Sequence, residues 1–176
     1  MWENKYLTEE EIRKYKDQLL QIPGEEFIEI MEGKFTPFVK SQGLRGAKNN
    51  FYKKNKPWIY TLHIDKDKYG GNCAISVGVH PMRIESSIGN LPIPSKFKIW
   101  DCIVTKAISM NNKNSWYYYG LNREEGIETV DLMIAMVKEK GIPFLEQFEN
   151  YPHPFDKITL NDLNNPSEAF KDYGID

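Results

Sequence analysis

Three histidines, two cysteines and a few adjacent carboxylates are the side chains here whose types could support metal, nucleophilic or acid–base chemistry. Their spacing argues against each. His63, His80 and His153 include no His-x-x-x-His pair of the kind that holds zinc from one helix face. His63 and His80 fall on the less apolar sides of two neighbouring strand-like segments, where they could meet across a hairpin; two ordinary strand histidines is the simpler reading. Cys73 and Cys102 are 29 positions apart, match no metal or redox spacing and sit in apolar runs. They are expected to be buried thiols. Glu124-Glu125 stands at the start of a helical pattern, where carboxylates complement the helix dipole. Gly70-Gly71 lies in a charged turn, and no Gly-x-Gly-x-x-Gly or Gly-x-x-x-x-Gly-Lys is present to cradle a phosphate. Nucleophile-elbow and Ser/Cys–His arrangements are absent too. The sequence therefore nominates no catalytic, cofactor-binding or metal-ligating residue, no cofactor is expected, and an enzyme is the less favoured reading.

Charge and aromatic content carry more information. Residues 33–64 hold seven basic side chains (Lys34, Lys40, Arg45, Lys48, Lys53, Lys54, Lys56) and no acid, whereas residues 1–32 hold four basic and nine acidic ones. Residues 120–176 are acidic again, with five basic against twelve acidic. One reading is mutual neutralisation, with acidic helices packed beside a basic sheet edge and lysines guarding exposed strands. The other is a basic face for an acidic partner or nucleic acid, with Phe51, Tyr52, Trp58 and Tyr60 available for stacking. A net charge of −2 and a pI near 6.0 disfavour nucleic acid as the main partner. Trp116-Tyr117-Tyr118-Tyr119 alternates on a strand, so one pair should be buried and the other partly exposed. Core packing accounts for most such runs, yet tyrosine and tryptophan are enriched at interface hot spots. Tyr117, Tyr119, Trp58 and Tyr60 are the partner-binding candidates.

The elements that would position these groups can be traced by periodicity. Thr8 and Glu11 form a capping box for a helix with Ile12, Tyr15, Leu19 and Ile22 on one face, stopped by Pro23-Gly24. A second helix carries Phe27, Met31, Phe35 and Phe38-Val39, with a kink or break expected near Lys34 because Gly33 and Pro37 interrupt it, and Gly43 ends it. From Asn49 the period falls to two. Residues 57–66 and 73–80 alternate, and the polar turn between them predicts an antiparallel hairpin with one face buried more deeply. Residues 81–95 read as a long loop, and strands are expected over 96–105 and 115–121. Asn122 and Glu125 open a helix with Ile127, Val130, Ile134 and Val137 as its stripe, which Gly141 and Pro143 should close. Residues 144–150 suit a short helical turn, and the tail looks extended. The expectation is a single α+β domain over 1–176: N-terminal helices, a central antiparallel sheet of about four to five strands, and C-terminal helices packed on one face.

The stretch Phe35-Thr36-Pro37-Phe38-Val39-Lys40-Ser41-Gln42-Gly43-Leu44, followed by Asn50-Phe51-Tyr52-Lys53, resembles the bacterial domain of unknown function 4304 family. Its members begin with a helix ending in Leu/Phe-x-Pro-x-x-Lys-x-x-Gly-Phe, continue into strands, and close on a helix ending Pro-Phe-Leu-Glu. Ile142-Pro143-Phe144-Leu145-Glu146 matches that last feature, so the resemblance spans roughly residues 25–150. Leu44 stands where an aromatic is usual, and the Cys-x-Trp/Arg segment of many relatives is missing around Trp100–Lys106. The resemblance implies an α+β fold and no known activity, and it has no catalytic residues to carry over.

No signal peptide or membrane-length apolar run is visible, so a cytoplasmic protein is expected, with no membrane partner. The favoured function is a non-enzymatic module that binds another macromolecule, most simply a protein; an immunity-type, toxin-neutralising role is an analogy within that class. The alternatives are an enzyme or small-ligand binder whose site is assembled from distant residues, and weak nucleic-acid binding through 33–64.

Overall fold

The computed structural model describes residues 21–85, 91–110 and 115–150. The helix expected from Thr8 and the tail beyond residue 150 lie outside the described residues. What is described is α+β: one antiparallel sheet with helices against one face. Among the described residues no helix is long and apolar enough to cross a membrane.

The helix expected after Pro23 comes in three pieces: α1 (Gly24–Ile30), a wide π-helical turn (Met31–Phe35) and α2 (Thr36–Ser41). The wide turn sits where Gly33 and Pro37 were expected to disturb the helix. Thr36 N–H reaches back five residues to the Met31 carbonyl. A π-turn leaves one carbonyl without its usual donor, and proline is the residue with no donor to give, so the two irregularities coincide. The helix stops at Gly43, whose φ of 82° suits glycine. Its N–H bonds the Lys40 carbonyl while Leu44 N–H bonds Val39, a Schellman ending sealed by buried Leu44 and Val39.

Six strands follow: β1 (Arg45–Ala47), β2 (Asn50–Asn55), β3 (Trp58–Lys66), β4 (Asn72–Pro81), β5 (Val104–Ala107) and β6 (Trp116–Tyr118). The first five pair in sequence order, and β6 pairs with β4 beyond the end of β5. The β3–β4 hairpin closes at Gly70-Gly71, both at positive φ, as its polar turn implies. Strand-like character over 96–101 does not survive. The Asp101 carboxylate accepts the Lys98 N–H at 3.0 Å and closes a 3-10 turn (Ile99–Asp101), so pairing begins only at Val104.

The second helical rod starts where Asn122 predicts: its side chain accepts the Glu125 N–H, and the Glu125 carboxylate accepts the Leu121 N–H. It does not close at Gly141 and Pro143. α3 (Arg123–Met136) passes through a second π-turn (Val137–Gly141) into α4 (Ile142–Glu146) and a final 3-10 turn (Gln147–Asn150). As before, a proline stands two residues beyond the wide turn.

Both rods pack on the sheet face formed by Trp58, Tyr60, Leu62 and Ile64 of β3 and Cys73, Ile75, Val77 and Val79 of β4. Phe27, Phe35, Val130, Met133, Val137 and Phe148 complete a single apolar core. Some of the charge asymmetry is neutralised between elements. Lys34 pairs with Asp131 at 2.7 Å, Lys53 stands 4.0 Å from Glu149, and Arg123 reaches Glu26 and Glu29.

Candidate docking face

The opposite sheet face is built from the alternate residues of the same strands. The register places Asn50, His63, Ser76 and Ala107 in one row and Tyr52, Thr61, Gly78 and Thr105 in the next. Paired residues share a face, so Ala47, Ala74 and Trp116 belong to it as well. Among the described residues no α-helix covers this side. Residues 91–102 lie over part of it instead: the Phe97 ring sits 4.8 Å from that of His80, and Trp100 meets His63 edge-on at 5.5 Å. Cys102 Sγ contacts Thr61 Oγ1 at 3.2 Å. Gly78 makes this close seat possible, since a Cβ there would come within 2.9 Å of Ile99, Cys102 and Thr61.

Most of the polar atoms under that cover find local partners, and burial tunes their protonation. His63 Nδ1 contacts Asn50 Oδ1 at 2.9 Å, and His80 Nε2 donates to the Ile84 carbonyl at 2.9 Å. Desolvation pushes both imidazoles below the usual histidine range. Burial pushes the Cys102 thiol up to about 12, so it is no nucleophile at neutral pH. The two histidines do not meet, contrary to the possibility raised by the sequence. His63 is opposite Ser76 and His80 opposite Ile59, which separates them by roughly 13 Å along the strands. Among the described residues no group of three or more His, Cys, Asp or Glu is placed to hold a metal ion.

The cover stops short. Beyond Trp100 the floor is made of small side chains, Ala47, Ala74, Ser76 and Ala107, all at least partly open to solvent. Trp100 is 66% exposed on one side of this floor and Trp116 is 41% exposed on the other. Strand spacing sets the base of Trp116 roughly 12 Å from His63, beneath Trp100. Leu91 and Ile93 are exposed on the covering loop, and Tyr118 extends the aromatic edge beyond Trp116. Clustered exposed apolar side chains of this kind mark interaction surfaces. The adjoining β1–β2 edge is basic, with Arg45, Lys48, Lys54 and Lys56 all exposed, while Asp65 is the exposed carboxylate on the floor's margin.

This geometry corrects the choice of aromatic candidates. Trp58, Tyr60, Tyr117 and Tyr119 are all shielded from solvent, at 0–3% exposure, and offer no aromatic surface for a macromolecule to pack on. Trp58 packs edge-on against Phe148, and Tyr119 stacks on Phe27 at 3.9 Å. Tyr117 donates its hydroxyl hydrogen to the Ile108 carbonyl at 2.8 Å. Alternation within 116–119 does separate an inner from an outer pair, but the outer pair is Trp116 and Tyr118. Trp100 has no sequence signal of its own: its neighbourhood reads as a strand, and no periodicity marks a tryptophan on a 3-10 turn.

A family model described as a domain of unknown function (DUF4304) matches residues 35–147, which include α2, β1 to β6 and most of the second helical rod. No curated protein and no solved structure gives a match.

Proposed function

Since the chain belongs to the DUF4304 family, whose description assigns no activity, we propose from the geometry that it is a non-enzymatic module that binds an acidic protein on the open sheet face. The observation that carries this reading is the pair of exposed indoles, Trp100 and Trp116, flanking a floor of small residues. Each indole can take on the order of 200 Å² out of water on contact, and tryptophans in this situation dominate interface energetics. The basic β1–β2 edge supplies charge complementarity and long-range steering. An immunity-type role, in which the partner is a toxin neutralised by occlusion, is the form of this reading that needs no chemistry from the chain. The cytoplasm suits it: Cys73 and Cys102 are both free and lie on opposite sheet faces, beyond each other's reach.

The test is quantitative co-purification of the tagged chain from its native cells, compared with Trp100→Ala and Lys54→Glu. Both side chains are largely exposed, so neither change empties a core site. A specific protein retained by the wild type should bind Trp100→Ala roughly thirtyfold more weakly, as expected for a hot-spot indole. Lys54→Glu should slow association, most visibly at low salt. A partner held equally by all three proteins refutes the assignment of this face. Retention of oligonucleotides at low salt, lost as salt rises, would instead identify nucleic acid as the occupant.

A further inference from the structure

A second recess lies on the other side of the sheet, independent of the docking face. It is a cleft of about 210 Å³ where the end of α2, strands β2 and β3, and α4 come together. Sequence segments about a hundred residues apart supply its walls, with Ser41, Gln42 and Leu44 on one side and Ile142, Leu145 and Glu146 on the other.

At its inner wall is the Tyr60 phenol, almost wholly buried. Its oxygen accepts a hydrogen bond from Asn55 Nδ2 at 3.3 Å, but its own proton meets no acceptor among the described residues. Burial pushes this phenol up to about 12, and the nearby charges of Glu149 and Glu146 act in the same direction. It is therefore a neutral, unused donor. Beside it, Lys53 stands 4.0 Å from Glu149, which also accepts from Asn55 Nδ2 at 2.9 Å. Glu149 is thus answered within the protein. Glu146 is not: among the described residues it has no ion pair or hydrogen bond. It also sits in the last turn of α4, where the helix dipole opposes a negative charge, so it makes no contribution to helix stability that would explain it. Leu44, Ile142 and Leu145 add a small apolar strip to an otherwise polar lining.

An unused donor beside an ammonium, an unanswered carboxylate across the recess and a short aliphatic strip define complementary requirements for one ligand. The volume falls below the roughly 300–1,000 Å³ of drug-sized sites, which suits a ligand smaller than a nucleotide. We propose that the cleft binds a free aliphatic α-amino acid, its carboxylate on Tyr60 and Lys53, its ammonium on Glu146, and its side chain against Leu44, Ile142 and Leu145. A peptide terminus carries one of these charges and not both, so a free zwitterion is the better fit.

Isothermal titration of the full chain with L-leucine, its methyl ester and N-acetyl-leucine tests this. L-Leucine should bind, and each blocked form should bind at least about tenfold more weakly, the usual cost of losing a charged hydrogen bond. Glu146→Gln, at an exposed position, should weaken L-leucine about tenfold yet leave N-acetyl-leucine unchanged. Tyr60→Phe should weaken L-leucine and leave the methyl ester unchanged. The proposal fails if L-leucine gives no heat at about 1 mM, if the three compounds bind alike, or if Glu146→Gln makes no difference to L-leucine.

Discussion

The two faces of the sheet are stabilised in different ways. On the helix-covered face the contacts are apolar and aromatic: Phe35 packs near Phe38 and Phe51, and Trp58 against Phe148. On the other face a loop replaces the helices, and the polar groups beneath it are Thr61, His63 and His80, buried, and Cys102, half-buried, each needing a local partner. Even so, His80 Nδ1 finds none among the described residues. Apolar burial is non-directional and tolerates no water, whereas the polar side depends on a few specific bonds and leaves its margin open. One face carries the apolar packing, and the other leaves a margin open to solvent.

Three measurements would sharpen or break this contrast. The largest effect should come from Phe35→Ala, which empties a fully buried site on the helix side; a loss of about 3–5 kcal/mol is expected in urea unfolding. A loss under about 1 kcal/mol would mean that this face is not the main source of stability. Next is Gly78→Ala on the loop side. The added methyl meets the ends of three side chains, so the loop should lift at a cost of about 1–3 kcal/mol, and Cys102 should react faster with a thiol reagent while Cys73 does not. Equal acceleration at both thiols would indicate global loosening instead. The smallest is a pH effect confined to the loop side. His63 and His80 have depressed pKa values in the folded protein, so the unfolded chain takes up protons first as the pH falls through about 6.5. Stability should be flat above about pH 7.5 and fall toward acid by at most about 1.4 kcal/mol per pH unit from each histidine. Replacing both with glutamine should abolish the slope; an unchanged slope would place the sensitivity elsewhere.

Much of the helix-covered face was legible in the sequence because its signals are local. The disturbance near Lys34, the Gly43 stop, the β3–β4 alternation and the Asn122 cap each follow from a few neighbouring residues. The strand Arg45–Ala47 and the seating of β6 beside β4 are non-local choices with no signature of their own. Alternation divided Trp116, Tyr117, Tyr118 and Tyr119 into pairs but could not say which pair faces inward, because that depends on where the helices dock. The recess around Tyr60 draws on three distant segments, and the turn carrying Trp100 was masked by residues that would suit a strand.

The wide turns also set the phase of each rod. Phe27, Met31, Phe35 and Val39 are buried at uniform steps of four, as are Met133, Val137, Gly141 and Leu145. In an ideal α-helix that rhythm drifts by about 40° per step, which would swing the last residue about 120° off the sheet. A turn of larger circumference absorbs part of the drift, so the far half of each rod keeps its angular bearing. Those far halves present Gln42 and Glu146 to opposite sides of one recess, and removing a single residue from either wide turn would rotate one wall out of alignment while the near half stayed docked.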